Sequence, residues 1–370
     1  MRSKEAVTSG KAGKSSGKAG KFGAHRSRKR SPLWARLCLI LGFILMIGSG
    51  GTLVTVQLTL GTINNSLTQG DLGIGGKQGR DVTGPVNVLL AGLDYRKDDP
   101  ASEVSSRADS VMWMHIPKEH DRAYLLSFPR DLNVKIEPFL EAGYKGGEDR
   151  LNSAFAYGMG EKGNDKGREG GMRLLVKTVS KLTGITFDVA GIIDWYGFTE
   201  ITKELGGVEM CLEQPIKSYH SDLVFPKGCS HYNEHTALEL VRQRYDVSGG
   251  DYGRQKLQQQ FVKQLVRQAT KSEVIRNPTK INAMMKASGK AISLDLGGYK
   301  LADLVWSMRG LNADGIITIQ VPHSSVDTAG DYLGEQLVQP TGYELFEALR
   351  TGQVDSFLVH HPELSPRLPA

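Results

Sequence analysis

Cysteine is scarce in this 370-residue chain, with three in all, which excludes the disulfide-dense scaffolds of small secreted domains. No C-x2-C pair occurs, so a zinc ribbon or finger is excluded as well. The part expected to fold has no G-x-S-x-G nucleophile elbow and no H-E-x-x-H helix. Gly13-Lys14-Ser15 lies in a low-complexity leader with no strand before it, so it is not a phosphate-binding loop. No internal repeat at solenoid or propeller periods is visible. A basic folded surface is missing too. The net charge is +6, but residues 1–36 hold 11 of the 46 Lys/Arg and only one of the 40 acids. The remainder therefore carries 35 bases against 39 acids, a balance of −4. A nucleic-acid groove would need its positive surplus in the folded part, so no nucleic-acid partner is expected.

Long apolar runs are also rare, and the one present is informative. From Leu33 to about Gln57, Leu37, Leu39, Ile40, Leu41, Phe43, Ile44 and their neighbours give roughly 20 uncharged residues, enough to span a bilayer. A cleaved signal peptide would normally have an apolar core of about 7–15 residues, so retention as an anchor is expected. Lys21, Arg26, Arg28, Lys29 and Arg30 would hold the N-terminus in the cytoplasm. Residues 1–32 then read as a disordered basic cytoplasmic leader and 33–57 as a transmembrane helix. Residues 58–84 read as a linker or stalk, 85–350 as one extracellular domain and 351–370 as a tail. Cys211 and Cys229, in an oxidising compartment, suggest a disulfide. His220, His231 and His235 lie in or just after the loop between them and read as ordinary solvated histidines.

Within the domain, Val86–Gly92, Ser110–Ile116 and Ala123–Phe128 read as three strands, the first a short apolar run of buried type. If they form a meander, the end of the first, the start of the second and the end of the third share one sheet edge. Asp94, Arg107, Asp109 and Arg130 would then gather there. Leu151–Tyr157, Met172–Leu182, Phe198–Leu205, 253–270, 281–291, 301–308 and 341–350 read as helices. Phe187–Ile193, Val208–Leu212 and Ile316–Val321 read as strands. Intermixed strands and helices define an α/β or α+β class, a mixed central sheet with helices on both faces.

The second cluster is Leu240-Val241-Arg242-Gln243-Arg244-Tyr245-Asp246, followed by a Gly-rich turn and by Arg254 and Gln258. Val241–Tyr245 reads as a short strand placing Arg242 and Arg244 on one face. Arginine forks match phosphate and carboxylate oxygens, so an anion site is one reading and a solvated basic face the other. Asp94 and Asp109 facing arginines suggest Mg2+ chemistry on a phosphate. Capping would equally occupy such loop aspartates, and Arg130 could simply pair with Asp131 or Asp109 on the surface.

Taken in order, Asn87–Asp94, Arg107-Ala108-Asp109-Ser110, Ser127-Phe128-Pro129-Arg130-Asp131, Leu205-Gly206-Gly207-Val208, Arg242–Asp246 and Gly250–Arg254 resemble the LytR-CpsA-Psr family of bacterial cell-wall proteins. The resemblance is strong over 86–271 and weaker over 272–350. It implies a membrane-anchored phosphotransferase outside the cell, moving a glycopolymer from a polyprenyl-diphosphate carrier to a peptidoglycan sugar hydroxyl. A polyprenyl-diphosphate-sugar pyrophosphatase, or a non-catalytic regulator binding lipid-linked intermediates, are the other readings. By position, Asp94 and Asp109 correspond to the carboxylates linked to Mg2+ (or Mn2+). Arg107, Arg130, Arg242, Arg244, Arg254 and Gln258 correspond to the diphosphate-binding set, with Asp131 and Asp251 as supporting carboxylates. The polyprenyl chain implies an apolar tunnel, which the Met172–Leu182 and Phe198–Leu205 helices could line. Two positions depart from the family pattern: Leu257 stands where an arginine is common, and Asn233-Glu234 replaces an Asn-Gly turn.

Overall fold

The strand sequence Val-Asn-Val-Leu-Leu-Ala-Gly-Leu has no exposed face to offer, and it lies in the middle of a six-stranded mixed sheet. The computed structural model describes residues 70–94, 107–160, 165–271, 291–328 and 330–365. Strands β1 (Val86–Leu93), β2 (Ala108–Ile116) and β3 (Ala123–Phe128) form the antiparallel meander, with Val111 opposite both Ala91 and Phe128. Beyond β3 comes the small pair β4 (Asn133–Ile136) and β5 (Gly147–Arg150). Helices α1 (Leu151–Met159) and α2 (Asp165–Thr183) then carry the chain across to β6 (Val189–Asp194), which runs parallel to β1. Gly184, at φ +69°, ends α2 in the left-handed conformation that favours glycine.

The chain continues through α3 (Trp195–Glu204) into β7 (Val208–Leu212), β8 (Ile216–Lys217), β9 (Val224–Phe225) and β10 (Gly228–Tyr232). Cys211 lies directly opposite Cys229 across β7 and β10, and the two are disulfide-bonded. Helices α4 (Glu234–Val241) and α5 (Asp251–Lys271) follow. Asn233 caps α4 by accepting from the His235 and Thr236 amides, so the Asn233-Glu234 departure begins a helix. Strand β11 (Ile292–Asp295), helix α6 (Leu301–Ser307) and β12 (Ile316–Gln320) complete the large sheet in the order β11-β6-β1-β2-β3-β12. The hairpin β13 (His323–Thr328) and β14 (Asp331–Leu337) leads to α7 (Thr341–Thr351) and α8 (Val354–His360).

Helices cover both faces. One face packs Trp113, Leu126 and Ala190 against Phe155, Met172, Leu175 and Phe346 of α1, α2 and α7. Trp113 is fully buried with its ring edge-on to Phe187 at 5.9 Å, and truncating such a side chain costs about 3–5 kcal/mol. The opposite face packs Met112, Leu125 and Ile316 against Val262 and Val266 of α5 and Leu304 of α6. The sheet class and its helices on both faces are as the sequence predicts.

Several expectations change. Val241–Tyr245 is not a strand: Val241 ends α4, and Arg242 onward is a turn. The Val-Arg-Gln-Arg-Tyr alternation imitates strand period, yet Leu240 and Val241 complete the apolar face of a helix. The outer part of the expected stalk lies on the domain, with Leu72 fully buried and its amide donating to Asp295 Oδ2. The expected tail also packs, through α8 and the buried Leu364. The helix predicted at 281–291, all but Ala291, lies outside the described residues, as do the leader and the 33–57 span. Among the described residues, no helix is long and apolar enough to cross a membrane.

Candidate functional site

Strand alternation normally sends neighbouring side chains to opposite faces of a sheet. At the carboxyl end of β1 that rule is broken. Gly92 pairs with Ser110 but Leu93 pairs with Ala108, so Asp109 is an extra, bulged residue. A bulge re-aims side chains, and here Asp109 and Ser110 both line the same cavity of about 690 Å³. Asp94, at the end of β1, and Arg130, after β3, line it too. Gly92 fits the bulge closely, since a Cβ there would stand 3.0 Å from that of Ser110.

The opposite wall is the α4–α5 connection. Gly249 and Gly250 take φ of +85° and +58°, and this left-handed turn swings the chain from Arg244 into α5. Arg242, Arg244, Arg254 and Gln258 all line the cavity. Residues up to 164 positions apart thus share one site, as the meander and the arginine loop together require.

Electrostatics knit the walls. Arg130 Nη1 donates to Asp109 Oδ1 at 3.0 Å, while its Nε lies 3.5 Å from Asp131 Oδ2 and 3.6 Å from Asp251 Oδ1. Burial alone would lower the Arg130 pKa, but Asp109, Asp251 and Asp131 outweigh it and hold it above the ordinary arginine value. Arg254 is nearly buried; its Nη2 lies 2.6 Å from Asp251 Oδ1 and donates to the Asp109 carbonyl at 3.2 Å. Burial pulls its pKa down, and nearby Arg130 adds to the effect, but a guanidinium remains cationic. Asp131 also meets Arg150 at 3.5 Å. Asp131 and Asp251 therefore stand behind the arginines and fix where their forks point. The Ser110 hydroxyl donates to Gln258 Oε1 at 2.9 Å, tying β2 to α5.

Arg107 does not join them. It is exposed at the start of β2 and its charge acts on Asp149 and Tyr157. The bulge explains this: once Asp109 is turned inward, the residue two before it need not follow the same face. Leu257, at the position where the family commonly has arginine, packs in a small core with Leu240 and Phe261.

The interior of the cavity is apolar. Leu90, Met112, Phe198, Ile201, Phe261 and Val262 line it. Of the two helices expected there, α3 contributes Phe198 and Ile201, but α2 packs on the other face of the sheet. Helix α5 takes the second place instead. Sequence reasoning also missed Trp195, whose ring lies 3.5 Å beneath the Arg242 guanidinium, an arrangement that holds a cation in place. The available signal was a tryptophan, one of four in the chain, directly after a strand. Asp194 before it is buried, and burial raises its pKa against the opposing pull of the Gly197 amide and Arg168.

Hard oxygen donors suit Mg2+, which retains waters and usually takes only one or two carboxylates plus phosphate oxygens. Asp94 and Asp109 at one mouth fit that demand. Among the described residues no three His, Cys, Asp or Glu side chains gather as a closed metal cage. The donor set suits a cation whose shell a phosphate completes.

An apolar cavity with an arginine-rich, carboxylate-bearing mouth thus lies against the mixed sheet. A sequence model of the LytR_cpsA_psr family matches residues 53–346, and the chain belongs to that family. It is 27% identical over 332 residues to the cell wall biosynthesis protein LcpA of Corynebacterium glutamicum, covering 83% of this chain and 63% of LcpA. It is 28% identical over 278 residues to the polyisoprenyl-teichoic acid–peptidoglycan teichoic acid transferase TagU of Halalkalibacterium halodurans, covering 74% of this chain and 83% of TagU. Among solved structures, protein gbs0355 of Streptococcus agalactiae aligns with a TM-score of 0.60 at 21% identity, covering 74% of this chain and 88% of the other. TagT bound to LI-WTA aligns at 0.56 and 21% identity, covering 77% and 97%. At such identity the structures establish the fold.

Proposed function

We propose that the chain transfers a glycopolymer from a polyprenyl-diphosphate carrier to a peptidoglycan sugar hydroxyl, forming a phosphodiester. The observation that carries this reading is that apolar side chains and a cluster of arginines line one and the same cavity. The lipid chain occupies the apolar interior. Arg130, Arg242, Arg244 and Arg254 bind the diphosphate, with Gln258 beside them, and the arginines offset charge that develops on the transferring phosphoryl group. The acceptor hydroxyl oxygen bonds to the glycan-bearing phosphorus, and the bond from that phosphorus to the bridging oxygen breaks. Polyprenyl phosphate leaves with the electron pair, and the hydroxyl proton passes to a base. Asp94 and Asp109 would hold Mg2+ (or Mn2+), which supplies Lewis-acid neutralisation of phosphate charge when bound. An anchor at 33–57 would keep the domain at the outer membrane surface, where such lipids reside. The relatives named for teichoic acid transfer and cell wall biosynthesis support the same substrate class.

The test is to incubate the full chain in nanodiscs with a lipid-diphosphate glycan and a peptidoglycan oligomer. A glycan–peptidoglycan phosphodiester is the expected product. Free sugar phosphate alone would favour a pyrophosphatase, and binding without turnover a regulator; either result overturns the proposal.

A further inference from the structure

Two large aromatic rings stand in solvent at the rim of the cavity. Tyr219 and Tyr245 are 66% and 63% exposed, and their ring centroids lie 4.4 Å apart. Both line the cavity mouth. Isolated surface tyrosines need no explanation, but a paired, rigidly held aromatic face does.

The rigidity has identifiable causes. Tyr219 lies on the loop between β8 and β9, and its amide donates to Gln243 Oε1 at 2.9 Å. Gln243 is fully buried inside the arginine loop, where its Nε2 donates to the Glu239 carbonyl at 2.9 Å and to Ser218 Oγ at 3.2 Å. The Glu239 carboxylate accepts from the Ser218 and Ser221 hydroxyls. The Lys217 amide donates to Asp246 Oδ2 at 2.6 Å. The Cys211–Cys229 bridge closes the base of the segment that carries Tyr219. On the other side, Arg244 Nη2 donates to the Tyr245 hydroxyl at 2.6 Å, with its guanidinium 4.7 Å from the ring centre. The tyrosine pair is therefore locked to the arginine loop and lies one guanidinium away from the phosphate-binding position.

We propose that Tyr219, backed by Tyr245, presents a stacking face for the pyranose ring joined directly to the diphosphate, so that the site selects sugar-bearing over bare lipid diphosphate. This rests on the diphosphate reading above. Beyond the phosphates, the next unit outward in such a lipid is a sugar, whose C–H face is apolar and its hydroxyl edge polar. Flat aromatic surfaces with a polar rim complement that shape. Gln243, which touches the loop rather than the sugar, acts as a positioning residue.

The experiment measures affinity of the full chain in nanodiscs for two probes: geranylgeranyl diphosphate, and the same lipid diphosphate carrying one N-acetylglucosamine. Wild-type protein is expected to bind the sugar-bearing probe about three- to tenfold more tightly, the range typical of an aromatic contact. Y219A should remove most of that preference while leaving affinity for the bare diphosphate within about twofold. Y219F, which keeps the ring, should retain the preference. Equal affinity of wild type for both probes overturns the proposal, as does a preference unaltered in Y219A. Equal weakening of both probes in Y219A would make the tyrosine a structural support and also overturns it. Failure of wild type to bind even the bare diphosphate would overturn both this inference and the reading it rests on.

Discussion

Arg130 offers the sharpest perturbation, because one guanidinium stands among three carboxylates. Its contact with Asp109 at 3.0 Å has hydrogen-bond geometry, whereas those with Asp131 and Asp251, at 3.5 and 3.6 Å, are ion-pair distances only. A hydrogen bond between charged groups contributes about 1.5–3 kcal/mol. Losing one partner of a fully buried pair costs about 3–5 kcal/mol. The Arg130 side chain keeps 19% of its exposure and Asp109 keeps 29%, so solvent screening cuts the figure. R130A should therefore destabilise the domain by about 2–3 kcal/mol, or roughly 3–5 °C in Tm for a domain of this size. Arg254 remains 2.6 Å from Asp251, which leaves Asp109 as the carboxylate most exposed to the loss. Adding D109N should therefore recover about 1–2 kcal/mol, a coupling visible in a double-mutant cycle. Activity should not recover, since the double variant lacks both the arginine and the carboxylate proposed above to bind phosphate and metal. R130K should hold most of the stability yet lose at least tenfold in transfer rate, because an ammonium cannot present the planar fork. Thermal unfolding and the transfer assay read the two effects separately. Additive stabilities within about 0.5 kcal/mol, or full transfer by folded R130A, would refute the reasoning.

Two more outcomes follow from the geometry. His115 is buried beside Asn87 Oδ1 at 2.8 Å, and burial lowers its pKa from 6.5 to about 4, against a smaller opposing pull from Asp188. Below pH 6.5 the unfolded chain takes up a proton that the folded chain refuses. Stability should thus fall with acid between pH 6.5 and 4, by about 3 kcal/mol in total. Denaturant unfolding of wild type and H115Q should show that slope only in wild type, and parallel curves would remove His115 as its source. Gly191 lines the cavity, where a Cβ would stand 3.0 Å from side-chain carbons of both Leu90 and Leu294. G191L should fill the space and weaken binding of a long polyprenyl diphosphate at least tenfold, while a short-chain diphosphate binds as before. Undiminished affinity for the long chain would place the lipid elsewhere.

Periodicity made much of this fold legible. The apolar run of Val86–Gly92 and the two strands after it specify a meander, and the meander predicts that Asp94, Arg107, Asp109 and Arg130 converge, as all but Arg107 do. Helix α5 was readable for the same reason, because Leu257, Phe261 and Leu265 recur at helical spacing. What failed did so at points where period changes hand. Val241-Arg242-Gln243-Arg244-Tyr245 alternates like a strand, but its first residue belongs to a capped helix and its third is buried as a hydrogen-bonding hub. Arg107 illustrates the converse. It is two residues from Asp109, and strict alternation would place them on one face, yet the bulged register at Asp109 turns only the aspartate inward.

Such a bulge has no composition signal in Arg107-Ala108-Asp109-Ser110. It arises from tertiary demand, because the sheet must deliver a carboxylate and a hydroxyl from consecutive residues to one cavity. Gln243 follows the same logic, with an amide chosen for partners on a loop 25 positions away. The residues hardest to read from sequence are thus those that answer to two elements at once. In this chain they are the ones that set the spacing between the carboxylate wall and the arginine wall. A substitution at Gln243 should therefore alter phosphate binding without touching a phosphate, since it moves the loop that carries Arg242 and Arg244.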